Sequence, residues 1–161
     1  EAETRFANEA LQNAEARAAE LLAREGDGTS AYEIRDAMAE TMISKVGIFR
    51  TGEELALAVN ELKALLDDCD RIVLRSKAPG MNPELSFALR IKNMVKLALV
   101  TAQGALARTE SRGAHFRNDF PTRDDNNWLK HTLAFRTEDG GHELRYKPVT
   151  ITKYQPEERK Y

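Results

Sequence analysis

The feature that most restricts the fold of this chain is the spacing of its apolar residues over the first two-thirds, where they recur at three- and four-residue steps between turn residues. Such spacing lays an apolar stripe along one side of an α-helix, whereas a half-buried strand would alternate every second residue. From Phe6 the stripe runs through Ala10, Leu11, Ala14, Ala18, Leu21 and Leu22 and stops at Gly26-Asp27-Gly28, which predicts a helix over about residues 2–25. Ser30-Ala31-Tyr32-Glu33 has capping-box form, a hydroxyl to accept a helical amide and a glutamate to reach back. A shorter helix with Ile34, Met38 and Met42 follows and fades near Gly47. Thr51-Gly52-Glu53-Glu54 is a second capping box, after which Leu55, Val59, Leu62, Leu66 and Cys69 form the seam of a bundle helix. Asn82-Pro83-Glu84 sets a cap, a proline at the first helical position and an acid at the positive helix end. That helix runs through Leu85, Leu89, Met94, Val95, Leu99, Ala102 and Leu106, and Ala88, Ala98, Ala102 and Ala105 allow close helix approach. Met38, Met42, Met81 and Met94 are expected as gap-fillers in the bundle.

With 161 residues, 42% hydrophobic and 31% charged, one domain with a closed core and solvated helix faces is expected. No run approaches the roughly 18 apolar residues of a membrane span, and Glu1-Ala2-Glu3-Thr4-Arg5 has neither the basic nor the apolar section of a signal peptide. We therefore expect no direct membrane insertion. A net charge of −2 offers no general attraction to nucleic acid. The lone cysteine, Cys69, has no internal disulfide partner and reads as a buried small hydrophobe. GxGxxG, P-loop, GxSxG, HExxH and CxxC patterns are all missing, so no standard cofactor or metal signature is present.

After Arg108 the helical period is lost, and Arg, Asp, His, Asn and aromatic residues crowd together from Glu110 to His131. Phe116, Phe120 and Trp128 are costly to leave in water, so this is not a flexible linker. Trp128 to Thr137, Glu138-Asp139-Gly140-Gly141 and His142 to Tyr146 read as a hairpin about a glycine turn, with a last strand over Val149 to Tyr154. From Arg108 onward 11 Lys+Arg face 9 Asp+Glu, so the tail is mildly basic and suits an acidic surface. The expected organisation is a helical bundle over 1–108, then an irregular docking segment and β-hairpin tail over 109–161 within the same domain.

The stretch from Glu110 through Arg112-Gly113-Ala114-His115, Asp119-Phe120-Pro121 and Arg123-Asp124-Asp125 to Trp128-Leu129-Lys130-His131-Thr132-Leu133 closely resembles one written ESRGAHxRxDFPxRDDxNWLKHTL in the flavoprotein subunits of succinate dehydrogenase and fumarate reductase. Ala134 to Gly141 and Val149-Thr150-Ile151-Thr152 look closer to the fumarate-reductase side. Ile34 to Met38 and Gly47-Ile48-Phe49-Arg50-Thr51 resemble the preceding helical region more loosely. The resemblance implies the C-terminal domain of such a subunit: all-α, a three-helix, spectrin-repeat-like bundle with an irregular or short β tail. It also implies a parent enzyme that interconverts fumarate and succinate with FAD. The parent's partners would be its own upstream FAD-binding and capping portion, an iron-sulfur subunit and a membrane anchor. Its location would be cytoplasmic, at the cytoplasmic face of the inner membrane. The family's flavin fold and its substrate-binding arginine and histidines lie upstream of anything matched, so no catalytic, cofactor-binding or metal residue is expected here and the piece alone should be inactive.

Arg112, His115, Arg117, Asp119, Arg123, Asp124 and Asp125 could be taken for an active site, because guanidinium forks bind carboxylates and histidine moves protons near neutral pH. The plainer reading is a polar network that satisfies irregular backbone and ties the segment to itself and to the flavin domain. These seven residues and Trp128 are the candidate interdomain docking set. On this reading Arg112→Ala and Asp119→Ala disturb docking more than bundle melting. His115, Asp119, Asp124 and His131 invite a metal site, but their spacing is loose for zinc or iron. The alternative to the flavoprotein reading is a free-standing helical-bundle interaction module; a small metal-dependent hydrolase is weaker still. A bundle face normally covered by the flavin domain would favour self-association when bare.

Overall fold

The computed structural model describes residues 2–78 and 80–157, so the last four residues of the expected tail, 158–161, lie outside the described residues. Four long helices carry about half of the chain: α1 (Ala2–Ala23), α2 (Ala31–Lys45), α3 (Gly52–Asp68) and α4 (Pro83–Ala107). A 3-10 turn at Cys69–Arg71 closes α3. Two short parallel strands, β1 (Phe49–Arg50) and β2 (Phe116–Arg117), pair with each other. A one-turn α5 (Asp125–Trp128) precedes the antiparallel hairpin of β3 (Lys130–Arg136) and β4 (His142–Pro148). This is the expected class, a helical bundle followed by a short β tail.

Local signals set the helix starts. Ser30 Oγ accepts the Tyr32 N–H at 3.2 Å while Glu33 Oε2 accepts the Ser30 N–H at 2.9 Å, the reciprocal exchange of a capping box. Thr51 Oγ1 accepts the Glu54 N–H at 3.2 Å and donates to the Glu54 carboxylate at 2.9 Å. Asn82 Oδ1 caps α4 through the Leu85 N–H at 3.0 Å. Glu84 turns back to accept the Arg75 and Ser76 N–H groups, which ties down the loop before α4.

The chain folds as two compact units that interleave along the sequence: Glu1–Glu40 with Glu61–Ala98, and Thr41–Asn60 with Leu99–Tyr161. In the first unit the core is Leu21, Ala31, Ile34, Cys69, Ile72, Leu74, Ala88, Ile91 and Val95, with Met38 packed against it. Gly28 lies where a Cβ would stand 2.2 Å from the Arg71 carbonyl oxygen, so only glycine permits the Thr29–Ile72 bridge beside it. Burial pushes the Cys69 thiol up to about 11, which makes it an unreactive core residue. One expectation fails here: Met81 is 95% exposed in the loop before α4 rather than filling a gap in the bundle. The α1 stripe is buried only at its end, with Phe6 76% and Leu11 58% exposed. Periodicity shows that a helix owns an apolar face, not that the chain supplies something to cover it.

In the second unit Val46, Leu55, Ala58, Val59, Leu99, Ala102 and Ala105 are buried. The hairpin register pairs Arg136 with His142, and Gly140, at φ 81°, gives the turn its left-handed residue. No strand forms over Val149 to Tyr154. The Val149 N–H reaches the Leu129 carbonyl at 3.2 Å, but β3 begins at Lys130, so a longer ladder has no partner strand to pair with.

Candidate functional site

The segment after α4 is organised around one buried guanidinium. Arg117, in β2, has a side chain only 3% exposed. Its Nη1 donates to the carbonyls of Ala105 (3.2 Å), Leu106 (3.0 Å) and Arg108 (3.2 Å), which satisfies the end of α4 where carbonyls have no helical partner. Its Nε and Nη2 donate to the two oxygens of Asp119, both at 2.7 Å, and Asp119 Oδ2 in turn accepts the Gly52 N–H at 2.9 Å. One ion pair thus places a cation at the negative end of α4 and an anion at the positive end of α3. The Arg117 hydrogen bonds, with the Gly52 amide, hold the Asp119 carboxyl well below the usual carboxylate range despite partial burial. Gly52 admits this pair closely: a Cβ there would lie 3.0 Å from both Arg117 Nη2 and Asp119 Oδ2, so the ion pair would have to shift by a few tenths of an ångström.

A second group alternates charge along the chain. The Glu110 carboxylate is fully buried and accepts from Arg108 Nη1 (2.6 Å), Arg112 Nε and Nη2 (2.8 and 3.0 Å) and the Asp124 N–H (2.9 Å). Burial alone would raise its pKa; the hydrogen bonds from Arg112, Asp124 and Arg108 outweigh burial and hold it below the usual range. Arg112 also reaches Asp125 at 2.6 Å, and Asp125 takes Arg123 at 2.7 Å. Arg108 extends the group toward the hairpin, donating to the carbonyls of Trp128 (2.9 Å) and Lys130 (2.6 Å) and lying 4.9 Å from the Trp128 ring centroid. Trp128 packs edge-on against Tyr146 and donates from Nε1 to Thr109 Oγ1 at 3.0 Å.

His115 is fixed at both ring nitrogens. Arg50 Nη1 can only donate, so Nδ1 accepts at 2.7 Å and the proton resides on Nε2, which donates to the Arg108 carbonyl at 3.2 Å. Burial pushes the His115 pKa below its ordinary value against the raising pull of that carbonyl, and Arg50, Arg108 and Arg117 push the same way. Gly113, at φ 60°, turns the chain so that Arg112 and His115 exchange backbone hydrogen bonds of 2.8 and 3.1 Å. A Cβ at Gly113 would meet nothing within 4 Å, so it serves the left-handed turn rather than a close approach.

The structure therefore brings Arg112, Arg123 and Asp125 into one group and Arg117 and Asp119 into another, with Trp128 joined to the first through Arg108. Asp124 joins the first group only through its backbone N–H on Glu110, while its side chain caps α5 by accepting the Asn127 N–H at 3.0 Å. The four candidate metal ligands do not converge: His115, Asp119 and Asp124 each have the partners described, His131 lies exposed in β3, and no cluster of three such ligands occurs among the described residues. Sequence reasoning passed over Arg50, Gly52, Arg108 and Glu110. Glu110, flanked at two-residue spacing by Arg108 and Arg112, was legible as a charge alternation; the roles of Arg50 and Gly52 depend on a strand pairing across more than 60 residues and left no local sign.

In this arrangement charges are bound to charges and helix ends are stapled by side chains, which satisfies the irregular backbone of the segment. A family profile described as "Fumarate reductase flavoprotein C-term" matches residues 35–161, and the chain belongs to that family. It is 52% identical over 114 residues to the fumarate reductase flavoprotein subunit of Helicobacter pylori J99, which covers 71% of this chain and 16% of that protein. It is 42% identical over 120 residues to the succinate dehydrogenase flavoprotein subunit of Rickettsia conorii, covering 74% of this chain and 20% of that protein. Among solved structures it is similar to a mutant FrdA of Escherichia coli quinol fumarate reductase, with a TM-score of 0.85 at 34% identity over 94% of this chain and 26% of that one. The chain thus spans about a sixth to a quarter of the length of the proteins it matches.

Proposed function

We propose that this chain is the C-terminal part of the flavoprotein subunit of an enzyme that interconverts fumarate and succinate, and that its work is to pack on the FAD-binding and capping portion of that subunit. The observation that carries the reading is the family match over 35–161. The chemistry of the segment supports it. The charged side chains of the candidate set have partners within the chain, and His115, bonded at both nitrogens, has no lone pair free to take a proton from a substrate. FAD does not fit the residues here: Gly113 opens a turn closed by Arg112 and His115 instead of a helix whose amides could meet a pyrophosphate. In this reading FAD and substrate are held upstream, electrons pass to an iron-sulfur subunit, and a membrane anchor holds the assembly at the cytoplasmic face of the inner membrane. Among the described residues no helix is long and apolar enough to cross a membrane, so attachment falls to those partners. The Arg112, Arg123, Asp125 and Trp128 surface is part of the proposed docking face, while buried Arg117, held by Asp119, and His115 keep it in shape.

Mixing this chain with a separately produced FAD-binding and capping portion tests the proposal. Complex formation with recovered flavin retention or dye-linked fumarate reduction is the expected result. Two folded pieces that ignore each other at tens of micromolar would favour the free-standing interaction module instead.

A further inference from the structure

Arg50 differs from the other arginines near the segment. Arg108, Arg112, Arg117 and Arg123 each hold a carboxylate. Arg50 holds none among the described residues: Nε donates to the Gly47 carbonyl and Nη1 to His115 Nδ1, both neutral, and the charge that bears on it is the like charge of Arg117. A partly buried guanidinium without a counter-charge is unfavourable in a chain standing alone. Beside it are Ile48, 58% exposed, and Phe49, 69% exposed, the latter packed edge-on against Phe116 at 5.5 Å. In the last turn of α2, Ile43 is 76% exposed. An aromatic ring, branched aliphatics and an arginine lacking its anion make the composition of an interface anchor.

We propose that Ile43, Ile48, Phe49 and Arg50 form a docking surface for the FAD-binding portion of the same subunit, which sets an Asp or Glu carboxylate against Arg50 within an apolar surround. The proposal rests on the reading of the chain as part of a flavoprotein subunit and adds a surface that the candidate set lacked. Two arguments select this occupant. The matched region is 16–26% of the relatives' single chains, so the rest of such a chain is tethered nearby at high effective concentration. A second copy is disfavoured because a two-fold contact through this patch would set Arg50 against Arg50.

Hydroxyl-radical footprinting of Ile43, Ile48 and Phe49, in this chain alone and in the full-length subunit, reads the cover directly. We expect about tenfold slower oxidation of these side chains in the full-length subunit. Ile48→Asp, which neutralises Arg50 and repels an incoming acid, should restore fast oxidation of Phe49 there while leaving the melting of the isolated chain unchanged. Protection elsewhere in the chain but not at these residues would overturn the surface and leave the flavoprotein reading standing. No protection anywhere would overturn both, and protection already present in the isolated chain, with a dimeric mass, would replace the proposed occupant by a second copy.

Discussion

At the scale of single residues, Asp119 and His115 are the most sensitive points. Asp119→Ala leaves the buried Arg117 without its anion and the Gly52 N–H without its acceptor, and should cost about 2–3 kcal/mol by thermal or urea unfolding. The expectation that this change disturbs docking more than melting is tested by setting that loss beside the loss of binding to the FAD-binding portion. His115 gives the pH dependence. Its folded pKa lies below the ordinary 6.5, so an unfolded chain gains a proton that the folded one resists. Its contribution is complete above that value and is lost as pH falls below it; the melting temperature should drop between about pH 7.5 and about pH 5.5. Gln at 115 can accept from Arg50 and donate to the Arg108 carbonyl, so His115→Gln should flatten this part of the profile, and an unchanged slope would refute the assignment. Asp119 acts in the same direction further down, since its depressed pKa makes its contribution present above the ordinary carboxylate value and lost as pH falls through the folded one.

At the scale of elements, what could be read in advance was what neighbours along the chain decide. Ser30, Thr51 and Asn82 were legible as caps because the hydroxyl or amide, the following amides and the returning acid lie within four residues. Ser30→Ala and Thr51→Ala should each cost about 1 kcal/mol, and because they share no partner the double variant should show the sum. Pairings fixed at a distance were not legible. The parallel β1–β2 contact joins Phe49 to Phe116, and its two-residue strands carry no alternation to announce it. The last strand over Val149 to Tyr154 looked sound in composition and failed for want of a partner. The α1 stripe was legible as a helix face, and the structure adds that Phe6 and Leu11 on it remain in solvent. The candidate cluster was found as a cluster because its residues are crowded in sequence; its inner and outer members could not be separated until the ends of α3 and α4 were placed.

At the scale of the whole molecule, neither compact unit is a continuous stretch of chain. Residues 41–60 depend on residues 99–161, so a cut that respects the helix boundaries does not respect the folding units. Ending the chain after Ala107 removes Arg117 from the α4 carbonyls and Asp119 from Gly52; hydrogen exchange should then lose its protection over 41–60 while 61–98 keeps most of its own. Equal protection in both stretches would show that the bundle stands without the clamp. The single thiol of the molecule gives this a clock. Cys69 lies in the core of the other unit with its thiol pushed up to about 11, so a disulfide reagent at neutral pH finds neither thiolate nor access while that unit is closed. Its labelling rate therefore counts openings of the unit rather than reactivity of the group, and timing that one reaction in the chain and in the full-length subunit would tell how much longer the bundle stays shut once the rest of the protein is attached.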